Sequence, residues 1–467
     1  MTTESKPGNH AQGLDGETDI IIIGGGLVGA SLAVALKPTG KNVLLVESAN
    51  RQSDNQLAHQ SAHQSNDDQR TVALTHSAKL IFSAMGIWKN IQAIQAQPIL
   101  DIHISNRGHF GQTHLSHKDA RINNIKISAL GYVVPIRVIG KVLWAQLEKD
   151  KNTRIACPAC AQNLRQHRDF CSVEIIHDGK TKRIKSKLVV LADGGRSSLG
   201  QQLNHDAQFH HKARATDYAQ SAVLSIVTTD RPHNGRAYER FTDEGPLALL
   251  PHSTIEGAGD GVGDASGRYA LVWTTRRDNV ASRMSLSDDE FVASLQDTFG
   301  DRAGNFSNPS PRNHYPLKRS TLPDPASGRV IIIGNAAHTV HPVAGQGFNL
   351  GLRDVAELAE IIFNLPDSDP ENSHRENSYR ENFDLGGESM INAYTRARKR
   401  DTEMVTKLTH GLIAVFSNDS KALGLARNLG LTTIEHCPPA KRFLLKRTMG
   451  LAGRQSKLAL GVPLISH

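Results

Sequence analysis

A chain of 467 residues, 39% of them apolar, is long enough for one large protein of two interleaved lobes, each with a buried core. No stretch approaches the ~18 consecutive apolar residues of a membrane span. The cations behind the net charge of +8 are scattered rather than gathered into a basic stripe with interleaved aromatics, which speaks against nucleic acid and fits phosphate-bearing cofactors or an anionic membrane surface.

Residues 1–18 form a polar tail with no apolar core, so no signal peptide is read there and a cytoplasmic protein is expected. Three more stretches, Arg51–Gln69, Glu256–Gly267 and Asp367–Gly387, are equally polar and are expected to be surface insertions.

The first ordered element is the apolar run Asp19–Ile23, with the pattern of a strand buried on both faces. It leads into Gly24-Gly25-Gly26-Leu27-Val28-Gly29 and a small-residue helix, Ser31–Leu36, which stops at Pro38 and Gly40. A second buried strand, Val43–Val46, ends on Glu47. Strand, glycine turn, helix, strand and terminal acid together make a dinucleotide-binding unit. Gly24 would allow the tight turn, Gly26 would admit a pyrophosphate to the backbone, and Gly29 would let helix and strand pack closely. Glu47 would accept hydrogen bonds from a ribose, while the helix N-terminus offers N–H groups to phosphate. The motif alone does not separate FAD from NAD.

Cys157, Cys160, His167 and Cys171 have a spacing that invites a metal. Their segment reads as two short strands about a polar turn with no paired half-site, so plain reduced thiols and no metal are expected. Next comes a buried strand, Lys187–Ala192, ending on Asp193-Gly194-Gly195, where open α/β sheets commonly place ligand groups. The apolar strands Leu247–Leu250 and Tyr269–Trp273 could line a pocket.

The third motif runs from Arg329 to Asp354: a strand, the turn Gly334-Asn335, then His341-Pro342-Val343-Ala344-Gly345-Gln346-Gly347-Phe348-Asn349, then an amphipathic helix from Asn349 to about Leu365. Its glycines would leave backbone N–H groups facing an electron-rich ligand edge. His338 and His341 are read as packing or hydrogen-bonding residues. From Met390 onward the pattern is mostly helical, and Ala440–Arg454 forms a basic amphipathic helix that would either cover a sheet edge or rest on a membrane surface.

The segment His341–Asp354 resembles the signature of the ubiquinone-biosynthesis flavin hydroxylases, and the three motifs together resemble the wider class A flavin monooxygenases. The likeness extends over most of the chain. Gly334-Asn335, where relatives usually have Gly-Asp, is similar to the 2-polyprenyl-6-methoxyphenol hydroxylase branch. Arg70-Thr71-Val72-Ala73-Leu74 looks like the family's arginine loop, Gly235–Phe241 and Gly245–Pro251 like paired strands of its substrate lobe, and Tyr315-Pro316-Leu317 like the family's lead-in to the third motif.

The resemblance implies an α/β fold: a Rossmann-like FAD-binding lobe (about 19–95, 135–210 and 325–390) interleaved with a mixed-sheet substrate lobe (about 96–134 and 211–324), then C-terminal helices over 391–467. It implies FAD as cofactor and NAD(P)H as reductant, with Arg70 reaching the pyrophosphate and Asp193 where flavin and nicotinamide meet. Asn335 would contact the ribityl or pyrophosphate region, and Pro342, Gly345, Gln346, Gly347 and Asn349 would belong to the loop along the isoalloxazine. No flavin contact is assigned to Ile136, and the arginine that relatives often carry after the second motif is absent. No acid or base is assigned, because the flavin carries the chemistry.

The implied activity is hydroxylation of a polyprenyl phenol with O2, by a protein at the inner face of the membrane or in a complex of the ubiquinone pathway. Its rivals are an NAD-only dehydrogenase, a hydroxylase of soluble phenols, a prenyl-lipid reductase, a halogenase (whose paired tryptophans are not matched by Trp88, Trp144 and Trp273) and a non-catalytic escort of the same fold.

Overall fold

The computed structural model describes residues 16–50, 70–122, 125–195, 197, 199–200, 213–253, 267–341, 345–365, 384–416 and 421–465. The four polar stretches fall largely outside these residues, as does Pro342.

β1 (Glu17–Ile23) is the centre of the first sheet. Its alternate residues serve two cores, as expected of a strand without a polar face. Ile20 and Ile22 pack with α1 (Leu27–Leu36), whereas Ile21 and Ile23 pack against the opposite layer. β1 pairs in parallel with β2 (Val43–Val46), and β2 pairs in parallel with β8 (Thr153–Ala156). On its other side β1 meets β11 (Lys180–Leu191), which is joined in parallel by β17 (Val330–Ile332). The three motifs thus lie on neighbouring strands of one sheet, all delivered at its carboxyl edge.

Between β8 and β11 the chain forms a hairpin, β9 (Ala159–Gln166) and β10 (Cys171–His177), that continues the sheet antiparallel. This bears out the reading of two strands about a turn and separates the metal-like cluster. Cys160 pairs with Ile176 and Cys171 with Gln166, at opposite ends of the hairpin about 17 Å apart at a strand's rise per residue. Cys171 is fully buried, and burial pushes its thiol up to about 12, so it stays neutral.

A small sheet joins β3 (Thr71–Thr75), β4 (Gln97–Ile99) and β7 (Gly131–Pro135), with β7 in the middle. The second large sheet is mixed. Its strands are β5 (Asp101–Asn106), β6 (Gln112–Ser116), β12 (Arg214–Thr229), β13 (Arg236–Thr242), β14 (Gly245–Pro251), β15 (Gly267–Arg276), β16 (Asn313–Thr321) and β18 (His338–Thr339). β13 runs parallel to β5 and the other pairings are antiparallel.

The interleaving expected of the fold is found, with one correction to the pocket strands. Leu247, Leu249, Tyr269, Leu271 and Trp273 face away from the pocket, into a core closed by α4 (Asp288–Phe299) through Phe291, Leu295 and Phe299. Only alternate residues of a strand share a face, so Ala248, Leu250 and Val272 are the ones that line the cavity.

Two helix boundaries also differ from expectation. α1 starts four residues early, so Gly29 lies inside it. α5 (Gln346–Phe363) starts three residues early, because Gly345 (φ +60, ψ +30) turns the chain directly into its first turn. Gln346 and Gly347 therefore belong to a helix rather than a loop.

Three helices close the chain: α6 (Glu388–Phe416), α7 (Lys421–His436) and α8 (Pro438–Thr448). α8 is shorter than the sequence pattern suggested and ends before Gly450, which has φ +73. Its Leu445, with Met449 just beyond it, packs on Leu115 and Leu130, so the helix covers the edge of the second sheet. α7 is tied to the same edge through Glu435, which accepts from His114 N (2.7 Å) and Thr113 Oγ1 (3.0 Å), and through Asn428, which accepts from Gly111 N (3.0 Å). No helix among the described residues is long and apolar enough to cross a membrane.

Candidate functional site

The glycines of the first motif are held by backbone contacts. Gly24 has φ +104, and a Cβ there would lie 2.7 Å from the Ala192 and Asp193 backbone. The first and second motifs therefore touch. A Cβ on Gly29 would lie 1.9 Å from Gly24 O, whereas Gly26 faces open space with nothing within 4 Å. These are the tight turn, the close packing and the open approach expected of the three positions. Gly26 caps α1 without a side-chain hydrogen bond, so the first-turn N–H groups have no side chain of their own at the helix end.

Glu47 reaches back from the end of β2. Its carboxylate accepts from Gly25 N (2.6 Å) and Ala49 N (2.7 Å), which fixes it beside the glycine turn with lone pairs left for a ligand. Trp144, which the sequence reading missed, donates from its indole to Gly25 O (3.1 Å), and a Cβ on Gly25 would lie 2.7 Å from its ring and 3.0 Å from Glu47.

Asp193 spends its carboxylate locally, accepting from Gly195 N (2.9 Å) and Ser197 N (2.8 Å). Gly195 in turn lies 3.9 Å, measured from an added Cβ, from Ala336 of the third motif. The Gly334 and Gly351 positions pack on Val28 of α1. All three motifs converge here.

The turn before Asn335 is fixed by a buried ionic network. Asp354 Oδ2 accepts from His338 Nε2 (2.6 Å) and Gly334 N (3.0 Å), and its Oδ1 accepts from Arg398 Nε (2.7 Å). Arg398 and Arg353 both donate to Asp401, at 2.6 and 2.7 Å. Burial pushes the Asp354 carboxyl up, but His338, Arg398 and the Gly334 hydrogen bond outweigh it and bring it down to about 2. His338 is thus a structural hydrogen-bonding residue, as read from the sequence. His341 is fully buried with its ring edge-on to Tyr218, and burial lowers it to about 4, so it is neutral at physiological pH.

Asn349 stitches α5 to β3. It accepts from Thr75 N (2.9 Å) and donates to Ala73 O (2.8 Å) and Gly345 O (2.6 Å), so its side chain organises the third motif from behind. Arg70 is exposed just before β3, and its carbonyl accepts from Ile136 N (2.9 Å).

In front of this frame lies a cavity of about 710 Å³, within the size range of small-molecule sites. Asn335, Gly345, Gln346 and Gly347 border it on one side. Its walls are Ile102, Ile104, Ala237, Phe241, Ala248 and Leu250 of the second sheet, and Leu431, Ile434 and Leu444 of α7 and α8 close it. A Cβ on Gly347 would meet only Val340, at 3.9 Å, so that position is open to the cavity. Glu239 also borders the cavity and was not singled out in the sequence. The signal was there, since Ala237, Glu239 and Phe241 are alternate residues of β13 and one of the three is an acid.

The N-termini of α1 and α5, neither capped by a side chain, with the open Gly26 position and the anchored Glu47, fit a dinucleotide laid across the carboxyl edge of the first sheet. If Glu47 faces the ribose, Glu47→Arg is expected to lose flavin about tenfold or more, since the carboxylate's hydrogen bonds are removed and a cation takes its place. Flavin absorbance after desalting, with circular dichroism as the folding control, checks this. Wild-type retention by a folded variant would remove Glu47 from the site.

A family described as FAD binding domain matches residues 17–367. Ubiquinone hydroxylase UbiL of Rhodospirillum rubrum is 30% identical over 96% of this chain and 94% of its own. The 3-demethoxyubiquinol 3-hydroxylase of Escherichia coli is 27% identical over 93% of this chain and 99% of its own. Among solved structures, p-nitrophenol 4-monooxygenase PnpA of Pseudomonas putida superposes with a TM-score of 0.66 at 16% identity, covering 95% of this chain and all of its own, which places the two in one fold.

Proposed function

Because the chain belongs to the FAD binding domain family, we propose that it is an FAD-dependent monooxygenase hydroxylating the ring of a polyprenyl phenol in ubiquinone biosynthesis, with O2 and NAD(P)H as co-substrates. The observation that carries this reading is the single cavity that joins the Gly345–Gly347 segment to apolar walls and the C-terminal helices. A phenol ring can lie at the glycine end while a hydrocarbon tail occupies the rest.

Bound FAD supplies the redox chemistry between nicotinamide and dioxygen. The chain's own residues bind and orient. Gly26 and the α1 N-terminus receive the pyrophosphate, Glu47 the adenosine ribose, and Arg70 and Asn335 further polar groups of the cofactor. The N–H groups at Gly345–Gly347 face the ring system and favour negative charge on it, a preorganised electrostatic role. Apolar walls exclude water from the reacting carbon.

A polyprenyl substrate resides in a bilayer, so the protein works against the inner face of the membrane. α8 supports this, since its outer surface carries Arg442, Phe443 and Lys446, with Phe443 60% exposed.

The test is deletion of the gene, with quinones extracted under aeration. Loss of ubiquinone and accumulation of a polyprenyl phenol lacking one ring hydroxyl is the expected result. Normal ubiquinone, with no second hydroxylase present, would defeat the pathway assignment. Product formation on a soluble phenol alone would point to the hydroxylase reading of that class. A purified protein without flavin would point to the escort reading.

A further inference from the structure

We propose that Glu239 is a catalytic residue that accepts the phenolic proton of the substrate while the ring is hydroxylated. This rests on the hydroxylase reading above and gives that site a base.

The argument begins with the face of the second sheet that turns to the cavity. Across β5, β13, β14 and β15 this face presents Ile102, Ile104, Ala237, Glu239, Phe241, Ala248, Leu250 and Val272. Glu239 lies at its centre, directly between Ile104 of β5 and Ala248 of β14. Among these eight positions it is the one polar side chain. A carboxyl in such company costs stability unless it is hydrogen-bonded or paired. The described residues give it no hydrogen bond and no ion pair.

Its chain neighbours do not supply one. Tyr238 and Arg240 turn to the opposite face, where they donate to Arg302 O (3.2 Å) and Thr298 O (3.3 Å). The other charged groups that border the cavity are Arg353 and Asp401, which pair with each other, and Arg427 and Arg447 of the helical side. Burial alone acts on Glu239 and pushes its carboxyl up to about 7, the range in which a general base takes and returns a proton most readily. His338 and Asp354 are committed to the buried network and His341 is packed against Tyr218, so no better base faces the cavity among the described residues.

The step balances as follows. The phenolic O–H breaks and its proton goes to the Glu239 carboxylate, while the electron pair drives the ring to form a C–O bond, ortho or para to the phenolic carbon, with the OH oxygen of dioxygen reduced to the peroxide level, and the O–O bond breaks. The ring is then a dienone. Its C–H is lost as a proton to solvent, the C–H pair restores aromaticity, and the carbonyl oxygen takes its proton back from Glu239. The second oxygen, set free by the O–O cleavage, takes one proton and leaves as water; the two electrons that bring O2 to the peroxide level come from the reduced nicotinamide.

The test uses the flavin-loaded protein, a short-chain prenylated phenol and the methyl ether of that phenol. Binding is read from the shift in flavin absorbance, and product is counted per nicotinamide consumed. Wild type should hold the phenol about tenfold more tightly than the ether, because a site built to hydrogen-bond a hydroxyl rejects an analogue without it. Glu239→Leu should lose that preference. Glu239→Gln should keep its flavin but form product about a hundredfold more slowly, and Glu239→Asp should recover part of the loss. Wild-type product formation should rise with pH through a limb near 7 that is missing in Glu239→Gln. Product formation by Glu239→Gln at the wild-type rate and pH profile, or an intact preference in Glu239→Leu, overturns the proposal. The hydroxylase reading fails differently: wild type then yields no hydroxylated product from any phenol, while the binding preference still reports whether Glu239 meets a phenolic hydroxyl.

Discussion

Gly29→Ala is expected to yield a protein that has lost both its flavin and several kcal/mol of stability. The added Cβ would lie 1.9 Å from Gly24 O, far inside any tolerated contact, and the atom it meets is backbone. Gly24 cannot retreat. Its N–H donates to Val46 O (2.8 Å), and any Cβ on it would lie 2.7 Å from the Ala192–Asp193 backbone. α1 must then lift from the sheet, dragging Ala30, Leu32 and Ala33 from the core they share with Ile20 and Ile22.

Overpacking of a rigid site commonly costs about 1–3 kcal/mol and more where backbone is in the way. A loss of about 3 kcal/mol or greater is expected, together with displacement of the helix end offered to phosphate. Gly26→Ala is the control, since nothing lies within 4 Å of its added Cβ. That variant should melt like wild type and bind flavin poorly. Thermal melts and flavin content of both variants check the pair. A Gly29→Ala protein that melts with wild type would show that α1 does not pack on Gly24 as described.

The second large effect is expected of Asp354→Ala. Asp354 is fully buried and accepts from Gly334, His338 and Arg398 at once, so its removal leaves the Arg398 guanidinium with only part of its charge compensation, through Asp401. Breaking a buried pair by deleting one partner costs about 3–5 kcal/mol. Urea unfolding at neutral pH should show a loss of that order, with a weakened hold on flavin because the Gly334 turn is released.

The pH dependence has a definite sign. The Asp354 carboxyl in the folded protein is held down to about 2, below the roughly 3.9 of an unfolded chain. Its contribution is therefore complete above pH ~4 and is lost as pH falls toward 2. The stability gap between wild type and Asp354→Ala should narrow over that window. A gap that stayed constant there would mean that Asp354 is not ionised in the folded state.

Much of this protein was legible in the chain itself. The runs Asp19–Ile23, Val43–Val46, Lys187–Ala192 and Arg329–Ile333 were readable as strands, because they are short apolar runs without a polar side for solvent, and all but Val43–Val46 end in a glycine turn. Gly24, Gly26 and Gly29 were readable because each answers a local backbone demand: a positive φ, an open approach and a close packing. The resemblance of His341–Asp354 pointed to the family that the chain belongs to. The roles of Asn349 and Asp354 were not readable, since their partners lie 274 and 44 residues away in Thr75 and Arg398, and spacing cannot disclose such pairings.

The faces of the substrate strands were also decided by tertiary structure. Apolar residues alternate on both sides of β14 and β15, so periodicity leaves open which side meets the helix α4 and which meets the cavity. Glu239 shows the same division. Its position on β13 and its alternation with Ala237 and Phe241 belong to the sequence. The isolation that raises its carboxyl arises only when Ile104 and Ala248 pair beside it and the C-terminal helices close the cavity, because desolvation is a property of surroundings assembled from distant parts of the chain.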